Sequence, residues 1–450
     1  MNRQMPSSLE AEASLLGTMM VYAKSVTTAI EAGLMGDHFY LEAHRKMFSV
    51  IFALHSEGKP VDFTTITARL KDQDLLSQVG GVEYLLQLSE AAVSSANTKT
   101  YVELLQNKAF QRDMIDAARE IVEQGFANEP IDDYLDGAEK KILQVTRNRR
   151  TSEFRSGSEV ISNVLENIRK MSDNHSSITG VETRYRDLDR LTHGLQPGDL
   201  IILAARPSMG KTAFALNMGM NISLTYPSQA LAIFSLEMPA EQLISRILSA
   251  KSGVKGDHLR TGYLNQGEWN SLSEAVTELK STKIFIDDTP GVRTSEIFSK
   301  CRKLQSEHGL SCIIIDYIQL ISGSGKSNDN RQQEVSEISR NLKSLARELK
   351  VPVIALSQLS RSVESRPDKK PMMSDLRESG SIEQDADLIM LMYRESYYDE
   401  EKKQEAQEKG VESVEVNVAK HRNGATRRIE VAFKAEVNAF YNVDRGVLQE

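Results

Sequence analysis

The sequence predicts two folds in series: an all-helical N-terminal module, then a larger α/β domain built on a mostly parallel sheet. Three observations carry this. To about residue 145, apolar residues recur at helical spacing and no strand-like alternation is sustained. From about Gly180, short continuous apolar runs alternate with helical stretches, the pattern of a parallel sheet covered on both faces. Between them, Thr146 to Gly157 is polar and basic, with the composition of a hinge. The expected domains are therefore 1–145, a hinge and linker helix over 146–179, and 180–450.

The elements follow in order. Ser7-Ser8-Leu9-Glu10 reads as a capping box opening a helix that carries Leu9, Leu15, Leu16, Met19 and Met20. Further helices are expected around Glu42–His55, Thr64–Lys71, Val82–Ala92, Thr98–Phe126 and Ile131–Val145. After the hinge, Ser158 caps a short helix whose apolar face is Val160, Ile161, Val164, Leu165, Ile168 and Met171. That stripe must be buried, either on its own domain or on a neighbouring subunit. Strands are expected at Leu200–Ala204, Ala230–Leu236, Lys283–Asp287, Cys312–Tyr317, Pro352–Ser357 and Asp387–Tyr393. Two more, Val414–Ala419 and Arg427–Phe433, alternate and lie close together, as an antiparallel extension would.

Composition narrows the function classes. No apolar run is long enough to cross a bilayer, and the N-terminus lacks a signal-peptide core, so a cytoplasmic protein with no membrane partner is expected. Cys301 and Cys312 are the only cysteines and have no metal-binding spacing, which suits buried thiols in a reducing compartment. The net charge is −8, whereas a protein that coats nucleic acid with its outer surface is usually basic. Any nucleic-acid contacts must therefore be local, in a groove or channel.

The chemistry concentrates after the first strand of the α/β domain. Leu200 to Ala204 leads into Ala205-Arg206-Pro207-Ser208-Met209-Gly210-Lys211-Thr212 and then a helical pattern. This is a strand, a phosphate-wrapping loop and a helix. Backbone N–H groups can surround the β-phosphate of ATP, Lys211 can reach the β and γ oxygens, and Thr212 can ligate Mg²⁺. The motif departs from its usual form in having Ala205 where glycine is expected. Ligands of a parallel sheet bind outside the carboxyl ends of its strands, so the residues there matter most. The second strand runs to Glu237, the fourth to Asp316 and the fifth to Gln358. Asp316 suits a Walker-B-type acid holding Mg²⁺, Glu237 a base orienting water, and Gln358 a sensor of the γ-phosphate. Read singly, Glu237 could equally favour a helix N-terminus and Gln358 could cap a strand.

Two loops downstream are suited to a polyanion. Ser322 to Arg331 follows Asp316, and Ser360 to Ile382 follows Gln358, carrying Arg361, Arg366, Lys369, Lys370 and Arg377, then Glu378-Ser379-Gly380. They lack interleaved aromatics, so base stacking is not expected to dominate. Lys420 and Arg422 sit at the turn between the last two expected strands and point the same way. They either complete a neighbour's site as an arginine finger or are solvated turn residues.

These motifs resemble the DnaB-type replicative DNA helicases of bacteria and their phages. The phosphate loop, Phe234-Ser235-Leu236-Glu237-Met238-Pro239, Ile315-Asp316-Tyr317-Ile318-Gln319-Leu320, Leu356-Ser357-Gln358-Leu359-Ser360-Arg361 and Ser374 to Asp387 match in order and spacing, and Ser8 to Glu12 extends the likeness to the start. Ala205 is usual in that family. The resemblance implies a homohexameric ring of RecA-like P-loop motors, with ATP between subunits, moving 5′→3′ on single-stranded DNA in a central channel. It implies that Lys211 and Thr212 bind triphosphate and Mg²⁺, that Glu237 is the base, Asp316 the Walker B acid and Gln358 the sensor. It places Arg361, Arg377, Glu378 and Gly380 at DNA and gives Lys420 and Arg422 a role in trans. Primase, engaged by an N-terminal collar, and a helicase loader are the implied protein partners, and the linker helix would dock on the adjacent motor.

Two rivals remain at this level. A RecA/RadA-type recombinase shares the motor core, but the Arg-Pro-Ser-Met loop and the long helical module disfavour it. An ATP-gated, non-unwinding loader or scaffold is disfavoured by the intact Glu237, Asp316 and Arg422.

Overall fold

A computed structural model describes residues 4–127, 131–150, 178–322, 331–376 and 380–443, with scattered helical positions between 157 and 169. The chain divides into two compact units, 1–165 and 166–450.

The first unit is all helical among its described residues: α1 (Leu9–Val21), α2 (Ala23–Glu31), α3 (Glu42–Ser56), α4 (Phe63–Asp72), α5 (Gly81–Glu90), α6 (Thr98–Gly125) and α7 (Ile131–Arg150). Its core gathers Leu15, Leu16, Met19, Met47, Ile51, Leu85 and Leu88. The expected capping box is absent, because Ser8 rather than Ser7 is the N-cap and its side chain makes no cap hydrogen bond. Glu10 then sits one position too early to reciprocate. Helix α2 escaped the sequence pattern; its Val and two Thr residues are poor helix formers, yet Val26 and Ala29 are buried. Helix α7 runs on to Arg150, taking in the first residues of the basic stretch read as hinge.

Close packing explains one glycine here. A Cβ on Gly17 of α1 would lie 1.9 Å from the Leu88 carbonyl of α5, so only glycine permits this approach. Beside it, Glu12 and His44 are both 1% exposed and bond at 2.7 Å, while the other His44 ring nitrogen meets the Tyr84 hydroxyl at 2.7 Å. Glu12 Oε1 also accepts from the Tyr40 amide at 2.7 Å, so this buried polar chain is satisfied at both ends.

The second unit opens its α/β part with a short helix, α8 (Arg186–Thr192), ahead of a nine-stranded sheet. Its strands are β1 (Leu200–Ala205), β2 (Ala230–Ser235), β3 (Lys283–Asp287), β4 (Leu310–Asp316), β5 (Val353–Gln358), β6 (Leu388–Tyr393), β7 (Glu412–His421), β8 (Arg427–Lys434) and β9 (Ala439–Asn442). The spatial order is β3-β2-β4-β5-β1-β6-β7-β8-β9, parallel as far as β6 and antiparallel beyond. Strands β1, β2, β4 and β6 are buried at every position, because helices cover both faces. Their alternate residues feed two cores, one containing Leu203, Phe214 and Ile314, the other Ile202, Ile315 and Leu342. All eight expected strands form, with ends close to those read from the sequence. The short β9 was missed; it follows Asn438, whose φ of +51° sets a sharp turn before it. Of the linker-helix stripe, Ile161, Val164 and Leu165 are described and exposed, while Val160, Ile168 and Met171 lie outside the described residues.

Candidate active site

Strand β1 is central, flanked by β5 and β6, so the loop that leaves it opens at the middle of the carboxyl edge. Ala205 is the last strand residue and pairs with Gln358. Its backbone is ordinary extended chain, which is why alanine suffices there. The left-handed positions fall instead at Ser208 (φ +68°) and Gly210 (φ +89°). A Cβ on Gly210 would also approach the Phe440 ring to 3.2 Å. Pro207 and Ser208 are exposed at the crest of the loop while Met209 is buried beneath it. Arg206 is held by Glu364 at 2.7 Å and by the Leu359 carbonyl at 2.9 Å.

The loop runs directly into helix α9 (Lys211–Thr225), whose first two residues are the lysine and threonine of the motif. Thr212 Oγ1 donates to Asp316 Oδ2 at 2.7 Å, joining the first turn of α9 to the end of β4. Asp316 Oδ1 is buried and takes no hydrogen bond among the described residues; Lys211 Nζ stands 3.9 Å from it. The Lys211 ammonium also lies 4.9 Å from the centre of the Tyr317 ring. Burial lowers the lysine's pKa, and the charges of Asp316 and Glu237 oppose that shift. Glu237, two residues past β2, is exposed at the same edge and near enough to act on both Lys211 and Tyr317. Gln358 closes the group: its backbone N–H donates to Gln319 Oε1 at 3.4 Å, and Gln319 Nε2 donates to Ser357 Oγ at 3.0 Å. Lys211, Thr212, Glu237, Asp316 and Gln358 therefore share one edge, as the strand-end argument predicts.

Lys420 and Arg422 lie at the opposite edge. Strand β7 runs antiparallel to β6, so its C-terminal end meets the beginning of β6. Both side chains turn the same way: Lys420 Nζ donates to the Glu383 carbonyl and Arg422 Nη2 to the Gln384 carbonyl. Nearby, Asp199 lies 3.8 Å from Lys343, and burial together with the Asp387 charge pushes its carboxyl up to about 6. The folded state thus binds this proton more tightly than the unfolded chain does. The resulting loss of stability develops as pH rises from 3.8 through about 6. Asp199→Asn is expected to raise the thermal unfolding midpoint at alkaline pH, the gain shrinking as pH falls through that window. A gain of equal size at every pH would contradict this.

Comparison with known proteins decides the family. Residues 180–442 match the DnaB-like helicase C terminal domain, and residues 4–107 match the DnaB-like helicase N terminal domain. The chain belongs to the DnaB-like helicase family. It is 46% identical to the replicative DNA helicase DnaC of Bacillus subtilis (strain 168) over 99% of this chain and 96% of that one. It is 45% identical to the replicative DNA helicase DnaB of Geobacillus stearothermophilus, over 98% and 95%. Among solved structures, a DnaB-like replicative helicase described with its primase interactions aligns with TM-score 0.76 and 34% identity, over 97% of this chain and 100% of that one.

The structure narrows the basic loops expected in this DnaB-like helicase. Arg366 is paired with Asp375, Lys370 with Glu415 at 3.3 Å, and Lys369 lies over the Tyr398 ring at 4.8 Å. Those three cations serve internal contacts, whereas Arg361 is exposed in the turn that follows β5. Gly380 opens the helix Gly380–Asp385. Arg377 and Glu378 lie outside the described residues, as does most of the Ser322–Arg331 loop. Sequence reasoning missed Arg394, which donates to the Ser208 carbonyl at 2.9 Å while forking onto Glu412 at 2.7 and 3.2 Å. It also passed over Gln319 and Tyr317, although both sit inside the quoted Asp316 motif. Both cysteines are buried free thiols, each pushed up to about 12 by burial.

Proposed function

We propose that this replicative-helicase relative is a ring-shaped motor that hydrolyses ATP to move 5′→3′ along single-stranded DNA and displace the complementary strand. The observation that carries the reading is the Thr212–Asp316 hydrogen bond with the Lys211 ammonium beside it. A hydroxyl and a carboxylate so placed, one carboxylate oxygen buried without a hydrogen bond, are the oxygen donors a small divalent cation takes. Thr212 and Asp316 would hold Mg²⁺ directly or through its water shell. Bound there, the ion would offset charge on the β and γ oxygens.

The remaining steps belong to the chain's own residues. Amides of the 206–212 loop and the N-terminus of α9 surround the phosphates, with Lys211 supplying the positive charge. Glu237 orients the attacking water and accepts its proton. Gln358 responds to the γ-phosphate and passes the change to the segment after β5, where Arg361, Arg377, Glu378 and Gly380 are proposed to meet DNA. Lys420 and Arg422 act on the next subunit's ATP. The spacing supports this: β1 has six residues, at about 3.3 Å each, so the two edges are roughly 20 Å apart and Arg422 does not reach its own loop. A homohexamer is the proposed assembly, with 1–145 as collar and primase-docking domain, 146–179 as hinge and docking helix, and 180–450 as motor. Primase is favoured as a partner by the aligned helicase structure, which is described with its primase interactions. A dedicated loader and a cytoplasmic setting complete the proposal. No helix among the described residues is long and apolar enough to cross a membrane.

A forked duplex tests activity and polarity together. Strand displacement is expected with ATP and a 5′ loading tail, and not with a 3′ tail alone. Displacement from the 3′ tail, or DNA-stimulated turnover with no displacement, would overturn the reading. Glu237→Gln is expected to keep ATP bound while lowering turnover by about 10²–10⁴, the range for a lost general base. Filter binding and phosphate release on the same protein measure both quantities.

A further inference from the structure

The edge opposite the phosphate loop holds, beside Lys420 and Arg422, a buried carboxylate that the proposed cycle leaves without a role. Asp387, the residue before β6, is buried. Its Oδ2 accepts from the Leu200 amide at 2.8 Å and from Lys343 Nζ. Its Oδ1 lies 3.6 Å from Arg422 Nη1, and its carbonyl accepts from the Arg422 amide at 2.9 Å. One aspartate thus anchors the start of the central strand, a lysine, and both the backbone and the guanidinium of Arg422.

The same arginine is held from a second direction. Arg422 and Lys420 donate to the Gln384 and Glu383 carbonyls, at the C-terminal end of the helix Gly380–Asp385, where cations are favoured. That helix directly follows residues 377–379 in the chain. Lys343 sits on the helix Arg331–Leu349, which directly follows residues 323–330. Each helix therefore leaves one of the two segments read from the sequence as polyanion contacts. Both helices touch Asp387 or a cation it steadies. The Arg422 side chain nevertheless stays 44% exposed, so its outer side remains open to an anion. A guanidinium offers five N–H donors, enough to keep these supports and bind a further anion.

We propose that Asp387 is a positioning residue for Arg422, fixing the direction in which the guanidinium reaches a neighbouring subunit's nucleotide. This rests on the trans role proposed above for Arg422. Asp387 touches no nucleotide; it acts through the arginine.

Mixing experiments separate this proposal from the reading beneath it. Asp387→Asn keeps the size of the side chain and removes its charge. Its kcat for turnover stimulated by single-stranded DNA is expected to fall by up to about 10²-fold, the scale of a slightly misplaced catalytic group, with KM for ATP and assembly unchanged. Mixed with Lys211→Ala subunits, whose own Arg422 is intact, it should regain turnover, because its pockets then meet a correctly held arginine. A merely structural defect would not be restored by a neighbour. If Arg422→Ala is restored by the same mixing and Asp387→Asn is not, the positioning role is wrong and the trans role stands. If neither is restored, the trans role itself fails. An unchanged kcat also overturns the proposal. Should Asp387→Asn not assemble, Asp387→Glu, which keeps the charge but displaces it by one methylene, carries the same expectations.

Discussion

Lys211→Ala is expected to abolish nucleotide-dependent strand displacement. The ammonium is largely shielded from solvent at the first residue of α9, 3.9 Å from Asp316 Oδ1 and against the Tyr317 ring. Its removal takes away the cation nearest to where the phosphates would lie. It also leaves the Asp316 carboxylate, nearly fully buried, facing them without that charge. Losing one such electrostatic contact costs about 10²–10³ in rate where it has been measured, and here nucleotide affinity should fall as well. ATP binding, turnover and fork displacement measured on one preparation check this. Turnover within about twofold of the parent protein would contradict it.

Arg422→Ala is expected to stop hydrolysis while leaving ring assembly intact. The side chain is half exposed, and its loss leaves the buried Asp387 carboxylate still held by Lys343 and the Leu200 amide, so it should cost little stability. An arginine that completes a neighbour's phosphoryl-transfer site is worth about 10³–10⁵ in rate. Pure Arg422→Ala protein with normal turnover would rule the trans role out. Restored turnover on mixing with Lys211→Ala would show that the loss lies between subunits rather than within one.

Much of the fold was legible because local and global signals agree. Buried parallel strands such as Leu310–Asp316 must be apolar at nearly every position, so they stand out as continuous runs, and the polar residue that ends each one marks the ligand edge. That rule, taken together with the phosphate loop ahead of them, picks out Asp316, Glu237 and Gln358 as candidates. What escaped was set by contacts distant in sequence. Arg394 supports the phosphate loop from 186 residues away, and no periodicity records that. Helix α2 depends on tertiary burial of Val26 and Ala29 rather than on propensity. The capping box failed by a single register step at Ser8, which residue types near a helix start do not determine.

The placement of Lys211 and Arg422 at opposite ends of the strands has a consequence for symmetry. Under the trans role proposed for Arg422, one copy's arginine edge must face the next copy's loop edge. Head-to-tail contacts repeat that pairing from copy to copy, each presenting one face and receiving the other. Such an arrangement is finished only when the last copy meets the first; stopped short, it always strands one unused loop and one idle arginine.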